Sequence, residues 1–387
     1  RRLGGDGYEG FSRVNQGLPR RWRTFWGSNR RIPPADQREE GDRAVSRFKR
    51  ASDVKVGAIG YGGAFNMGKA HLNEMKRAGM TPVAVAEIDP ERLKVAETDF
   101  PGIETYGSVE EMLKKSGVNL LAIITPHNTH AKLAVQCLRA GRHVVCEKPF
   151  AITTGECDAM IAAAKKNDLV LSTYHNRHWD GWITDAVKTI RAGKIGDVLR
   201  VEAHMGGYGK PGDWWRTSKS ISGGVLYDWG VHLLEYALQI LDSDIVEVSG
   251  FAKTGFWAPQ TAWKDDTNED EAFAVVRFGS GAWLTLCITS VDSDPKRGFL
   301  EITGTQGTYI LDSSAHEITT HKDGETVVAK GPHSASEGWR LYQNIADHLV
   351  KDVPLVITAE WARRPIHILD LANQSAKADK AMKAKHA

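Results

Sequence analysis

The sequence predicts an α/β chain in which a doubly wound parallel sheet is followed by an α+β region with a mostly antiparallel sheet. Three observations carry this prediction. Between residues 54 and 174, strand-sized apolar runs alternate with helix-length stretches, the rhythm of a parallel sheet with crossover helices. A glycine cluster from Gly60 to Gly68 falls between the first strand and the first helix. After residue 176, short alternating strands separated by turns replace that rhythm, and two helices close the chain.

Residues 54–60 form the first strand, with Val54, Val56, Ala58 and Ile59 ending in Gly60. A helix over 67–78 follows, with Leu72 and Met75 one turn apart. Strands over 82–86, 120–124, 143–146 and 169–174 alternate with helices over 90–98, 130–140 and 155–167. The second region is expected to hold a helix near 182–192, a strand over 198–204, a Gly- and Trp-rich loop over 206–222, and an apolar helix over 225–241. Strands are expected near 246–252, 272–278, 282–289, 299–304, 307–311 and 317–321, with helices near 338–351 and 359–382. No internal repeat interrupts the pattern.

Composition narrows the class. Of 387 residues 41% are hydrophobic and 25% charged, ordinary values for a soluble globular protein. No apolar run approaches the roughly 18 residues of a spanning helix, so no membrane partner is expected. The four cysteines, Cys137, Cys146, Cys157 and Cys287, make no CxxC pair. They read as small buried thiols of a reducing compartment, which points to the cytoplasm.

Charge is uneven. Residues 1–50 carry 13 Lys+Arg against 6 Asp+Glu, while the remainder carries 37 against 42. An acidic body argues against nucleic acid as a partner. The exception is the basic, aromatic stretch Arg20-Arg21-Trp22-Arg23-Thr24-Phe25-Trp26, a composition compatible with an anionic partner. Residues 1–52 lack hydrophobic periodicity and are expected to be a disordered extension. The pair Arg1-Arg2 suggests a twin-arginine export signal, but no apolar stretch follows it.

The glycine cluster is Gly60-Tyr61-Gly62-Gly63-Ala64-Phe65-Asn66-Met67-Gly68. Glycines at a strand-to-helix turn permit close backbone approach, and the helix N-terminus offers N–H groups to a pyrophosphate. Phe65 stands where a third glycine is usual, and Gly68 follows three residues later, so the turn is expected to be lengthened. Gly60, Gly62, Gly63, Ala64 and Phe65 are therefore candidate cofactor contacts. Glu87, at the end of the second strand, can accept hydrogen bonds from the adenosine ribose and would repel a 2′-phosphate. It favours NAD, while nearby Arg92 leaves NADP open. Asp89 reads as the cap before Pro90.

Lys148 follows the strand over 143–146, and a lysine at the carboxyl end of a parallel strand faces the ligand crevice. Far along the chain, Asp228 and His232 stand four apart at the head of an apolar helix, a spacing that puts both on one helical face. Histidine titrates near neutrality and suits removal of a carbinol proton. A nearby ammonium stabilises the developing alkoxide and favours neutral imidazole.

The glycine turn, Thr125-Pro126-His127-Asn128-Thr129-His130, Cys146-Glu147-Lys148-Pro149 and Gly223-Gly224-Val225-Leu226-Tyr227-Asp228-Trp229-Gly230-Val231-His232 together resemble the glucose–fructose oxidoreductase, inositol dehydrogenase and rhizopine catabolism (Gfo/Idh/MocA) family over residues 53–382. The resemblance implies a Rossmann domain over 53–175, then a substrate-binding and oligomerisation domain with a large open sheet over 176–387. It implies an NAD(P)-dependent oxidoreductase acting on a hydroxyl or carbonyl of a sugar, cyclitol or glycoside, and a homodimer or homotetramer. By the same resemblance Lys148 orients the reacting hydroxyl and the nicotinamide ribose, Asp228 positions substrate and His232 exchanges the proton. Thr125, Pro126, Asn128 and His130 lie near the nicotinamide, and Glu147 is the cofactor-ribose acid.

Twelve tryptophans suit a carbohydrate, because indole faces stack on pyranose rings. Trp214, Trp215 and Arg216, in the loop before the Asp228 helix, are the best substrate contacts, and His175 and Arg177 are expected to line the cleft. The pairs His127/His130 and His175/His178 lack a clustered third ligand, so no metal is expected. Two other activities fit the same motifs: redox-neutral, NAD-dependent glycoside cleavage by transient oxidation and elimination, and non-catalytic dinucleotide sensing.

Overall fold

The computed structural model describes residues 47–312 and 314–384, so the extension expected over 1–52 lies, up to residue 46, outside the described residues. Residues 47–52 are ordered against expectation, because the Arg47 and Phe48 N–H groups donate to the Leu349 oxygen and Ala51–Asp53 forms a 3-10 turn. The first sheet comprises β1 (Lys55–Ile59), β2 (Thr81–Ala86), β3 (Glu104–Tyr106), β4 (Leu120–Ile123), β5 (His143–Cys146) and β6 (Leu171–Thr173). Their order is β3-β2-β1-β4-β5-β6 and every pairing is parallel, the arrangement of a Rossmann sheet. Helices α1 (Met67–Arg77), α2 (Pro90–Asp99), α3 (Val109–Lys115), α4 (His130–Arg139) and α5 (Thr154–Lys166) alternate with these strands. Ile59 pairs with both Ala86 and Ile123, so β2, β1 and β4 end together and open a crevice where the strand order reverses.

Local sequence sets the helix starts. Asp89 accepts the Glu91 N–H at 2.9 Å and Pro90 occupies the first helical position of α2. Thr153 and Glu156 form a capping box on α5. At α1, Asn66 is left-handed and its side chain caps nothing, which leaves the first-turn N–H groups facing the crevice.

After α6 (Gly181–Arg191) the chain forms β7 (Val198–Gly206), the short α7 (Lys219–Ser222), and α8 (Gly230–Ile240). Then come β8 (Ile245–Lys253), β9 (Glu271–Phe278), β10 (Trp283–Thr289), β11 (Leu300–Gly304), β12 (Gly307–Leu311), β13 (Ala315–Lys322) and β14 (Glu325–Pro332). The described chain ends with α9 (Arg340–Lys351), α10 (Ala359–Ala378) and β15 (Met382–Lys383). Among the described residues nine strands form the second sheet, and only β7 and β10 run parallel within it. Strand β9 alternates buried and less buried residues, so one face packs on helices and the other lies more open. A continuous apolar core runs from Ile59 and Leu121 of the first sheet through Leu233 of α8 to Leu286 and Ile302 of the second.

Several elements differ from those predicted. Strand β3 and helix α3 are absent from the sequence prediction, because β3 is three residues long with no fully buried position and α3 buries only Met112. Strand β14 has six consecutive exposed residues and so shows no burial alternation. The helix predicted over 225–241 begins only at Gly230; Val225–Tyr227 is a 3-10 turn, and the Val225 N–H goes to Glu269 Oε2 at 2.9 Å.

Candidate active site

A cleft of about 580 Å³ lies at the carboxyl ends of β1, β2, β4 and β5, within the usual range for a ligand site. Gly60, Gly62, Gly63, Ala64, Phe65, Glu87, Thr125, Pro126, Glu147, Lys148, Trp215 and Arg216, all predicted as site residues, line it. Gly60 has φ +95°, and a Cβ there would stand 2.2 Å from the Ile124 oxygen. Gly68 assumes the packing role of the missing third glycine: its Cβ would meet the Tyr61 ring at 2.5 Å. That displacement leaves Phe65 free to project at the cleft rim, 58% exposed.

The Glu87 carboxylate is held by the N–H groups of Tyr61, Ile88 and Asp89 at 2.6, 2.7 and 3.1 Å. Arg92 donates to the Tyr61 oxygen at 2.8 Å, bracing the turn from its other side. The lengthened glycine turn, the open space at Gly62 and the uncapped start of α1 fit a dinucleotide pyrophosphate, and the fixed Glu87 carboxylate fits ribose hydroxyls.

At the other end, Lys148 Nζ donates to Asp228 Oδ1 at 2.7 Å and to the Asp228 main-chain oxygen at 3.2 Å. Arg216 Nε lies 3.6 Å from the same Oδ1. Burial works to raise the Asp228 pKa, but Lys148 and Arg216 outweigh it and hold the carboxyl below its usual range. Arg216 packs over Phe65, Trp214 and Trp215, with centroid distances of 5.0, 4.9 and 4.7 Å. The glycine turn and the loop before α7 therefore meet over the cleft.

His232, on the first turn of α8, is buried beside Trp229, with ring centroids 5.5 Å apart. Burial pushes its pKa well below the ordinary histidine value, and the charges of Lys148 and Arg177 push it further. Asp228 does not share the helical face expected of it: it precedes α8, and its carboxylate turns to Lys148 and Arg216.

Other predicted contacts sit differently. His130 is wholly buried, its ring nitrogens 2.8 and 2.9 Å from the main-chain oxygens of Pro149 and Thr125, so it braces the two site segments from behind. Asn128 is exposed and outside the cleft lining. His175 is buried behind the cleft, its pKa pushed down to about 4 by burial. Arg177 turns to Asp180 at 3.1 Å and packs over Trp229 at 5.0 Å, and Trp214 reaches the site through Phe65 and Arg216. His127, which the motif does not assign to the cofactor, lines the cleft: Nδ1 donates to the Ser222 oxygen at 2.9 Å and its ring meets Trp215 edge-on. The carbonyl of Ser222, far away in sequence, is the partner no local pattern could supply.

The fold and this cleft define a nicotinamide-binding oxidoreductase class. Residues 54–175 match the family model described as "Oxidoreductase family, NAD-binding Rossmann fold", and residues 183–310 match "GFO/IDH/MocA C-terminal domain". Together these cover more than half of the chain, which belongs to the Gfo/Idh/MocA oxidoreductase family and carries its NAD-binding Rossmann domain. Myo-inositol 2-dehydrogenase of Thermotoga maritima is 28% identical over 232 residues, 59% of this chain and 66% of that protein. scyllo-Inositol 2-dehydrogenase (NADP(+)) IolW of Bacillus subtilis is 28% identical over 193 residues, 50% of this chain and 53% of that protein. A solved levoglucosan dehydrogenase in complex with NADH and levoglucosan shares the fold, with TM-score 0.73 and 21% identity over 85% of this chain and 99% of that one. The chain spans 40% to 54% of the length of several curated relatives that it matches.

Proposed function

We propose that this chain transfers hydride between NAD and a hydroxyl or carbonyl carbon of a small carbohydrate, a sugar or cyclitol. The observation that carries this reading is the contact of Lys148 with Asp228 at the edge of the cleft, one helical turn ahead of a neutral His232. Bound NAD supplies the hydride acceptor. Lys148 donates to the reacting oxygen and stabilises its developing negative charge. Asp228 orients the ammonium and balances its charge. His232, buried and outside the cleft lining itself, is neutral and takes the hydroxyl proton as the carbinol hydrogen leaves with the C–H electron pair. Trp215 and Arg216 offer an aromatic wall and a cation to the rest of the substrate.

The cofactor preference proposed is NAD, from the charge of Glu87, and the working form proposed is a homodimer or homotetramer of cytoplasmic protein. Among the described residues no helix is long and apolar enough to cross a membrane.

Screening sugars, cyclitols and glycosides with NAD and NADP tests the reading. NADH formation with a free sugar or cyclitol, lost in Lys148→Met and His232→Asn, supports it. Aglycone release with no NADH accumulating would transfer the assignment to redox-neutral glycoside cleavage. Binding of NADH with no turnover across the whole panel would count against an enzyme.

A further inference from the structure

A buried chain of polar groups runs from the C-terminal part of the fold to the wall of the cleft. His71, on α1, has no solvent exposure; its Nε2 lies 3.0 Å from Glu147 Oε1, and its Nδ1 is bonded to the hydroxyl of Tyr342 on α9. Glu147 lines the cleft, and its second oxygen accepts the Lys148 N–H at 2.8 Å. A carboxylate can only accept, so Nε2 carries the imidazole proton and donates it to Glu147. Nδ1 shares its own hydrogen bond with the Tyr342 hydroxyl, whose phenol burial keeps protonated. Tyr174 packs on the His71 ring with centroids 4.0 Å apart, and its own hydroxyl is committed to Glu74 Oε2 at 2.9 Å.

Each Glu147 oxygen spends one acceptor position inside the protein and keeps another for the cleft. Two donors on opposite sides of one carboxylate fix its plane, and the N–H that fixes Oε2 belongs to the residue bearing the Lys148 ammonium. We infer that His71, held by Tyr342, is a positioning residue that aims the Glu147 carboxylate at the hydroxyls of bound dinucleotide. The inference rests on the reading of the cleft as the NAD site, and it assigns to α9, outside both family-matched stretches, a part in cofactor affinity.

The test is NADH binding by the full chain, followed by protein-to-NADH fluorescence transfer, with thermal unfolding in parallel. His71→Leu removes the donor to Glu147; His71→Gln keeps an N–H donor at similar reach. The expected result is about 10- to 100-fold weaker NADH binding in the Leu variant, with most of the loss recovered in the Gln variant. Tyr342→Phe deletes one hydroxyl while preserving the aromatic packing, and it is expected to weaken binding about three- to tenfold. It carries the test should His71→Leu fail to fold. Unchanged NADH affinity in a folded His71→Leu or Tyr342→Phe variant overturns the inference. So does a Gln variant that binds no better than Leu. Failure of the wild-type chain to bind NADH would instead sink the cofactor reading, which keeps the two failures distinct.

Discussion

Lys148 and Asp228, 80 residues apart in the chain, are 2.7 Å apart at the cleft edge. One comes from the strand end of the first sheet and the other from the turn before α8, so the fold assembles its charged centre only when both segments are docked.

Asp228→Asn keeps the shape of the side chain and removes the charge that faces Lys148. Turnover is expected to fall at least about a hundredfold, as for a group that acts on the proton-transferring centre. NADH affinity should change little, because Asp228 stands outside the cleft lining. Steady-state kinetics beside a binding titration checks both halves.

The His232 pKa is depressed, so the neutral, proton-accepting form persists as pH falls. The acid limb of kcat/KM is therefore expected well below pH 6.5. Arg177 contributes to that depression, so Arg177→Gln should move the limb to higher pH. A limb that stays fixed would show that another group sets it.

His175 links stability to pH. Its folded pKa of about 4 lies below the unfolded value near 6.5, so as pH falls the unfolded chain binds the proton first. The contribution is complete above about pH 6.5 and is lost progressively down to about pH 4, for a total of about 3 kcal/mol. Urea unfolding between these limits should show a shallower pH dependence for His175→Phe than for the wild-type chain.

Glu87 is expected to set cofactor choice. The wild-type chain should prefer NAD, and Glu87→Ser should narrow the NAD-to-NADP ratio at least about tenfold, because a like charge facing the 2′-phosphate is gone. Since Glu87 also holds the Tyr61 N–H, affinity for both cofactors should fall. The ratio of the two kcat/KM values is the discriminating quantity.

Much of this was legible in the sequence. The alternation through residues 54–174 predicts the Rossmann sheet because its buried strands are short apolar runs, and the glycine turn locates the dinucleotide end of the cleft. Lys148 and Asp228 were candidates from strand-end position and spacing. Their actual relationship was less accessible: a hydrogen bond across 80 residues leaves no periodic trace, and Asp228 leaves the predicted helical face because Lys148 and Arg216 attract it. His71 and Tyr342 stayed hidden for a similar reason. Each sits on a helix among apolar neighbours, where a histidine or tyrosine looks like ordinary core until its partner is known. His130 misled in the opposite sense, since its motif places it beside the site while two main-chain oxygens hold its ring away from the cleft.

Under the proposed reading, the Lys148 ammonium and the His232 imidazole flank one end of a bound dinucleotide. A crystal structure of the chain soaked with NADH tests it directly. Adenosine at Glu87 with the nicotinamide ring between Lys148 and His232 is the expected result. A dinucleotide bound with its nicotinamide away from both residues, or bound outside this cleft, would contradict it.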